Sequence, residues 1–194
     1  MSLHLREYVI GVDEAGRGAL AGPVCAGAVL MPVDFPWQEC FALITNRGQP
    51  KLRDSKKLSP QQREILYAFI ITHGSLKHAF AFVDAQTIDT IGIVNATCEA
   101  AAQAVIALGI SPARVHVELD AGLKLSAEWS QAAHIRGDEN IPVIALASIV
   151  AKVSRDQAMI DLHSIYPEFD FPAHKGYGTQ SHYRAIALSG PSAI

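Results

Sequence analysis

The sequence predicts an α/β fold: a mixed sheet of five strands covered by helices on both faces. Three observations predict it. The chain opens with two β-forming runs joined by a short glycine-rich turn, a connection that favours antiparallel pairing. It then alternates strands with helical segments, the order that wraps a sheet in helices. Its 194 residues are 49% hydrophobic and 18% charged, which suits one ordered domain with a sizeable core.

The elements follow in order. Tyr8, Val9, Ile10 and Val12 form a first strand that stops at two carboxylates, Asp13 and Glu14, before Ala15-Gly16-Arg17-Gly18. Gly22 to Leu30 reads as a second strand whose small residues let another element pack closely on it. Met31 to Pro50 carries Pro32, Pro36 and Gly48 and reads mainly as loop. A basic run, Lys51-Leu52-Arg53-Asp54-Ser55-Lys56-Lys57-Leu58, precedes a helix. There Ser59 caps, Pro60 takes the first position, Gln62 completes a capping box and Gly74 supplies the stop. His78 to Asp84 is a third strand. A helical turn near 86–91 and an alanine-rich helix over 94–108 come next. Arg114 to Asp120 alternates cleanly, with Val115, Val117 and Leu119 on one side, and ends in a carboxylate before a small turn. A short fifth strand is expected around Ala133-His134-Ile135. A long helix over 144–162 follows, with Ser148, Lys152 and Asp156 in one polar stripe. Phe171 to Thr179 reads as loop, and 180–188 as a last short helix.

Composition narrows the function. The net charge is −3, so a nucleic-acid partner would be met by a local basic patch or by bridging metals rather than by a general basic field. Cys25, Cys40 and Cys98 are scattered and form no C-x-x-C, which argues against a zinc site or a disulfide framework and suits a reducing compartment. The N-terminus has no apolar signal core, and no apolar run reaches the roughly 18 residues of a membrane span. The expectation is a cytoplasmic protein without membrane contact, a single domain over 1–194, and a monomer by default.

Four acids stand out. Asp13 and Glu14 end the first strand, Asp120 ends the fourth, and Asp156 reaches the same place if its helix packs across those strand ends. Sites in open α/β sheets gather beyond the carboxyl ends of strands. Oxygen-only clusters suit Mg²⁺ or Mn²⁺, and two such ions roughly 4 Å apart can hold a scissile phosphate. The eight histidines show no metal-ligand spacing, and no serine or cysteine constellation is comparably coherent. One geometric objection stands: successive strand residues point to opposite faces, so Asp13 and Glu14 share a site only if the strand ends or distorts between them.

These residues resemble the ribonuclease HII family over nearly the whole chain. The resemblance is carried by Gly11-Val12-Asp13-Glu14-Ala15-Gly16-Arg17-Gly18, by Asp54-Ser55-Lys56-Lys57-Leu58-Ser59, and by the strand ending at Asp120. Ala147-Ser148-Ile149-Val150-Ala151-Lys152-Val153-Ser154-Arg155-Asp156 and His174-Lys175-Gly176-Tyr177-Gly178-Thr179 complete it. It implies a ribonuclease H-like fold and metal-dependent hydrolysis of RNA in RNA–DNA hybrids, with single ribonucleotides embedded in DNA among the substrates and 5′-phosphate and 3′-hydroxyl ends as products. It implies that Asp13, Glu14, Asp120 and Asp156 bind the metals, that Gly16, Arg17 and Gly18 read the 2′-hydroxyl beside the cut, and that Tyr177 packs on the following sugar. Lys56, Lys57, Ser148 and Lys152 are further candidates for substrate contact. Ribonuclease HIII usually has Lys where Arg17 stands and carries an extra N-terminal domain, which favours HII here. The turn Ala121-Gly122-Leu123 departs from the family's usual Asp-Gly-Asn. Family members usually continue past the pair Gly190-Pro191 with a basic stretch, the kind of tail that makes a sliding-clamp contact, whereas this sequence stops at Ile194.

Plainer readings compete residue by residue. Arg17 could simply pair with Glu14, Tyr177 could be a buried turn aromatic, Lys152 and Asp156 could be an i, i+4 pair, and the lysines could be solvated. Two whole-protein rivals are a non-cutting binder of hybrid duplex and a resolvase- or transposase-like nuclease. The first gains nothing from so many carboxylates beside phosphates, and the second has no need to sense a 2′-hydroxyl.

Overall fold

The computed structural model describes residues 7–45, 52 and 55–194, so Lys51, Arg53 and Asp54 of the basic run lie outside the described residues. In chain order come β1 (Tyr8–Ala15), β2 (Val24–Pro32), α1 (Gln38–Ala42), a 3-10 turn at Ser55–Lys57, α2 (Pro60–Thr72), β3 (Lys77–Val83), α3 (Ala85–Ile91) and α4 (Ile93–Ala107). Then follow β4 (Val115–Asp120), β5 (Gln131–His134), α5 (Gly137–Asn140), α6 (Pro142–Asp161), α7 (Phe171–His174) and α8 (Gln180–Ser189). The five strands form one sheet in the order β3-β2-β1-β4-β5. β2 runs antiparallel to both β1 and β3, while β4 is parallel to β1 and to β5.

Each face of the sheet has its own core. On one, α4 packs Ala96, Ala100 and Ala104 against Ile10, Val12, Val117 and Leu119, all essentially excluded from water. On the other, α6 and α2 bring Val143, Leu146, Val150, Leu66 and Ile70 against Val29 and Met31. Nine consecutive residues of α6, Val143 to Ala151, are buried. That helix reaches the sheet so closely because β1 and β2 carry glycines beneath it. A Cβ on Gly11 would lie 2.2 Å from the Val143 carbonyl oxygen, and one on Gly27 would lie 2.5 Å from the Ala151 amide nitrogen.

Local chemistry explains the element ends. Ser59 Oγ accepts from the Gln62 amide and Gln62 Oε1 accepts from the Ser59 amide, the capping box expected for α2. Asp84 caps α3 through the Thr87 amide, and Thr179 caps α8 through the His182 amide. α2 ends at His73, in extended conformation, one residue before the glycine expected to stop it.

The structure differs from the sequence reading in four places. β1 continues through Asp13 and Glu14 to Ala15, because β2 goes on pairing with it as far as Ala15↔Cys25. The segment read as loop contains α1, whose Cys40 and Phe41 are anchored in the second core; five residues are too few for a helical period to show. β5 lies at Gln131–His134 rather than around Ile135, since its ladder with β4 ends at Asp120↔His134 and leaves Ile135 85% exposed. The single turns α5 and α7 were not foreseen, for the same reason of length.

If the close seat of α6 is right, Gly27→Ala should destabilise the protein by about 1–3 kcal/mol, the usual cost of overpacking against immovable backbone. For a chain of this size that is roughly 2–4 °C in Tm per kcal/mol, readable by thermal circular dichroism. An unchanged Tm would refute the contact.

Candidate metal centre and substrate cleft

The site grows out of a difference in ladder length. β1 pairs with β2 up to Ala15, but its ladder with β4 stops at Val12↔Leu119. Beyond that point the sheet opens on one side, and the next residues are Asp13 and Glu14 on β1 and Asp120 on β4. Their carboxylates offer oxygens that all lie within 4.8 Å of one another. The alternation objection is met locally: Asp13 Oδ1 accepts from the Glu14 amide at 2.7 Å, so its side chain folds along the strand toward its neighbour. Asp120 Oδ1 accepts from the Gly137 amide at 2.9 Å, and a Cβ on Gly137 would stand 3.2 Å from that same oxygen.

Electrostatics mark the cluster as incomplete. Burial, then the charges of Glu14, Asp120 and Asp138, hold the Asp13 carboxyl well above the usual carboxylate range. Burial and Asp120 also raise Glu14, against the pull of Arg17 and Lys56. Arg17 Nη1 stands 3.7 Å from Glu14 Oε1, while Glu14 Oε2 is buried with no hydrogen-bond partner. An orphaned carboxylate oxygen between like charges is the donor set that a hard divalent cation satisfies, so the residues present fit Mg²⁺ or Mn²⁺.

A cleft of about 470 Å³ meets the cluster at Glu14 and is lined as well by the turn Gly16-Arg17-Gly18, Lys56, Lys152 and Tyr177. Gly16 holds φ +100° with the side chain of Arg155 directly against it, so a side chain there is doubly excluded. The turn and the Tyr177 loop are joined by the bridge Ala19↔Tyr177 and by the Leu20 amide donating to Gly176 O at 2.9 Å. Lys152 Nζ lies 5.7 Å from the Tyr177 ring centre. A second groove of about 530 Å³ continues from the first past Tyr177, Lys152 and Arg63. The Gly122 turn, where the sequence departs from the family pattern, sits under Arg17: a Cβ there would come within 2.6 Å of its Nη1.

Three expected site residues are placed otherwise. Asp156 is not among the clustered carboxylates; it lies on α6 in the second groove and accepts from Lys152 Nζ at 2.7 Å, the i, i+4 pair of the plainer reading. Ser148 is buried, and its hydroxyl donates to the Ala145 carbonyl inside the helix, so it does not line the cleft. Lys57 makes an ion pair with Glu139 at 2.8 Å and is not a cleft residue, whereas Lys56 is. The sequence reading also missed residues that matter here. Asp138, buried in α5, adds its charge to the cluster; the signal was a Gly-Asp pair just past the fifth strand. Arg63 on α2 donates to the Ser55 and Leu58 carbonyls and fixes the turn that presents Lys56. Arg155, inside a motif already noted, is fully buried.

The raised Asp13 pKa has a sign. The folded chain keeps a proton that an unfolded chain, with an Asp pKa of about 3.9, has already released. Between that value and the raised folded one, stability falls as pH rises. In EDTA, Tm should therefore decline as pH rises above about 4, and Asp13→Asn should flatten the decline. Mg²⁺ or Mn²⁺ should raise the wild-type Tm more at about pH 8 than at about pH 5, by binding the ionised carboxylates. Scanning calorimetry checks this; a Tm indifferent to metal at the higher pH would contradict the site.

Comparison with known proteins gives the family and the fold. The sequence matches the family described as Ribonuclease HII over residues 10–193. A ribonuclease HII from Caldicellulosiruptor saccharolyticus is 44% identical over 188 residues, covering 96% of this chain and 84% of that protein. Among solved structures, ribonuclease H2 from Pyrococcus horikoshii superimposes with a TM-score of 0.70 at 26% identity, covering 95% of this chain and 90% of that one. Bst-RNase HIII in complex with Mn²⁺ shares the fold, with a TM-score of 0.67 at 17% identity over 94% of this chain and 70% of that one. A three-carboxylate cluster, a Gly-Arg-Gly turn lining the adjoining cleft and a sequence match spanning nearly every residue lead to one assignment: the chain belongs to the ribonuclease HII family.

Proposed function

We propose that the protein is a metal-dependent endoribonuclease that cuts the RNA strand of RNA–DNA hybrids on the 5′ side of a ribonucleotide, single ribonucleotides embedded in duplex DNA included. The observation that carries this reading is the cluster Asp13, Glu14 and Asp120, whose Glu14 lines a cleft shared with a Gly-Arg-Gly turn and a tyrosine. Family membership supports the activity class.

In this reading Asp13, Glu14 and Asp120 hold divalent cations, with Asp138 rather than Asp156 as the fourth acid. Bound there, Mg²⁺ or Mn²⁺ supplies Lewis-acid stabilisation of the charge that develops on phosphate oxygens. The protein's own groups do the rest. Gly16 and Gly18 let the backbone approach the ribose closely, and Arg17 sits beside the 2′-hydroxyl, the group by which RNA differs from DNA. Tyr177 packs against the next sugar, where a deoxyribose leaves the ring room. Lys56 and Lys152 meet the phosphates and fix the register of the strand without reading sequence. Water adds to the phosphorus, the bond to the upstream 3′ oxygen breaks, and the ends are a 3′-hydroxyl and a 5′-phosphate that stays with the ribonucleotide.

The test is an end-labelled duplex with one ribonucleotide in an otherwise DNA strand, incubated with Mg²⁺, Mn²⁺ or EDTA beside an all-DNA control. Cutting should occur 5′ to the ribonucleotide and only with metal. Asp13→Asn and Asp138→Asn should each lower the rate by more than about a hundredfold, beyond the range usual for groups that merely support a metal ligand. Asp156→Asn should cost far less. Binding without cutting by the wild type would favour the non-cutting binder, and an Asp156→Asn loss equal to that of Asp13→Asn would restore Asp156 to the metal set.

A further inference from the structure

Arg155 is the largest fully buried side chain among the described residues, and it makes no ion pair at contact distance there. Its donors go to main-chain carbonyls instead. Nε donates to Pro23 O at 2.9 Å, Nη2 to Ala21 O at 3.3 Å and Nη1 to Lys175 O at 2.8 Å. Ala21 and Pro23 belong to the segment that leaves the Gly-Arg-Gly turn for β2, and Lys175 to the loop that leads into Tyr177. The same guanidinium lies 5.3 Å from the centre of the Tyr177 ring, and a Cβ on Gly16 would fall 2.0 Å from its Nε. One side chain thus touches the floor of the turn, the backbone on both sides of the cleft and the face of the tyrosine.

A buried cation facing neutral carbonyls carries a large desolvation cost, and its three hydrogen bonds offset part of it while keeping those carbonyls paired. What arginine adds is a rigid planar fork whose donors leave in fixed directions, so that three carbonyls are held at set separations; lysine cannot do this from one nitrogen. We propose that Arg155 is a positioning residue for specificity: it fixes the distance between the Gly16-Arg17-Gly18 turn and Tyr177, and thereby the preference for a ribonucleotide followed by a deoxyribonucleotide. This rests on the function proposed above. It goes beyond it in assigning the discrimination to the spacing of two elements rather than to either alone.

The test compares Arg155→Lys with wild type on two duplexes, one with a single embedded ribonucleotide and one with a uniform RNA strand. The ratio of the two rates should fall roughly tenfold or more, the range for groups that orient contact residues, while the uniform hybrid is cut at a rate close to wild type. Tyr177→Ala should lower the same ratio in wild type but add little in the Arg155→Lys background, because the two changes remove one shared feature. A ratio unchanged by Arg155→Lys, or fully additive losses, overturns the proposal. A structural measurement without substrate separates this from the activity itself. In ¹H–¹⁵N spectra of Arg155→Lys the amides of Gly16, Gly18, Gly176 and Gly178 should all move, and shifts confined to α6 would overturn the proposal. If wild type cuts neither duplex, the proposed function fails and the spectra still decide the role of Arg155. If Arg155→Lys is recovered unfolded, Arg155→Gln takes its place; failure of both to fold means a purely structural residue and rejects the proposal.

Discussion

The backbone of α6 rests on the α-carbons of Gly11 and Gly27, and the functional half of the molecule depends on that contact. Two strands without side chains at these points let a helix lie against the sheet at backbone distance, a seat any methyl group would lift. From it α6 carries Lys152 to the cleft, Asp156 to the second groove and Arg155 to its buried place beside Gly16. At its other end the helix begins directly after α5, whose Gly137 amide holds Asp120 and whose Asp138 charges the cluster. A shift of the helix by one ångström would move both ends of the site together.

The cluster itself opposes the fold that builds it. Three carboxylates lie within 4.8 Å of one another; burial and the neighbouring charges raise the pKa of Asp13 and of Glu14 and leave a Glu14 oxygen without a partner. Arg17 and Lys56 offset part of this for Glu14 and are placed on the cleft side, where they also meet anything bound. The remaining imbalance is what a bound divalent cation would relieve. The glycines and short ladders around it keep the strain local: β1 goes on pairing with β2 while its β4 side stays open.

Around Tyr177 the main chain is held from below by histidines as well as by Arg155. His174 and His182 are buried and stacked, with ring centres 4.4 Å apart. Burial keeps the His174 pKa low, so its ring is neutral: Nε2 donates to Phe169 O and Nδ1 accepts from the Gly176 amide. His182 Nδ1 donates to Tyr177 O. The loop is thus fixed on both sides of the tyrosine by groups that never reach the cleft. Two cations stand over the phenol ring, the Arg155 guanidinium at 5.3 Å and Lys152 Nζ at 5.7 Å from its centre.

The residue pattern by itself determined the order of strands and helices, the capping box of α2, the alternation of β4 and the small residues under α6. These are local or periodic properties, written in consecutive residues. It also identified Asp13, Glu14 and Asp120, because charged residues that end apolar strands have few structural uses. What it did not decide are matters of reach. Lys152 and Asp156 stand four apart on a helix, and only packing shows that they pair with each other instead of serving the strand ends. Ser148 shares their stripe but faces inward, since the polar face of α6 narrows where the helix is clamped between sheet and α2. Asp138 is marked in the sequence only by its place after Gly137 past the fifth strand, and its role depends on a one-turn helix whose first amide holds Asp120. In the sequence Arg155 is only one member of the motif that ends at Asp156. Tertiary structure made it the hub of two loops, because its partners are carbonyls and a sequence carries no mark of which carbonyl points where.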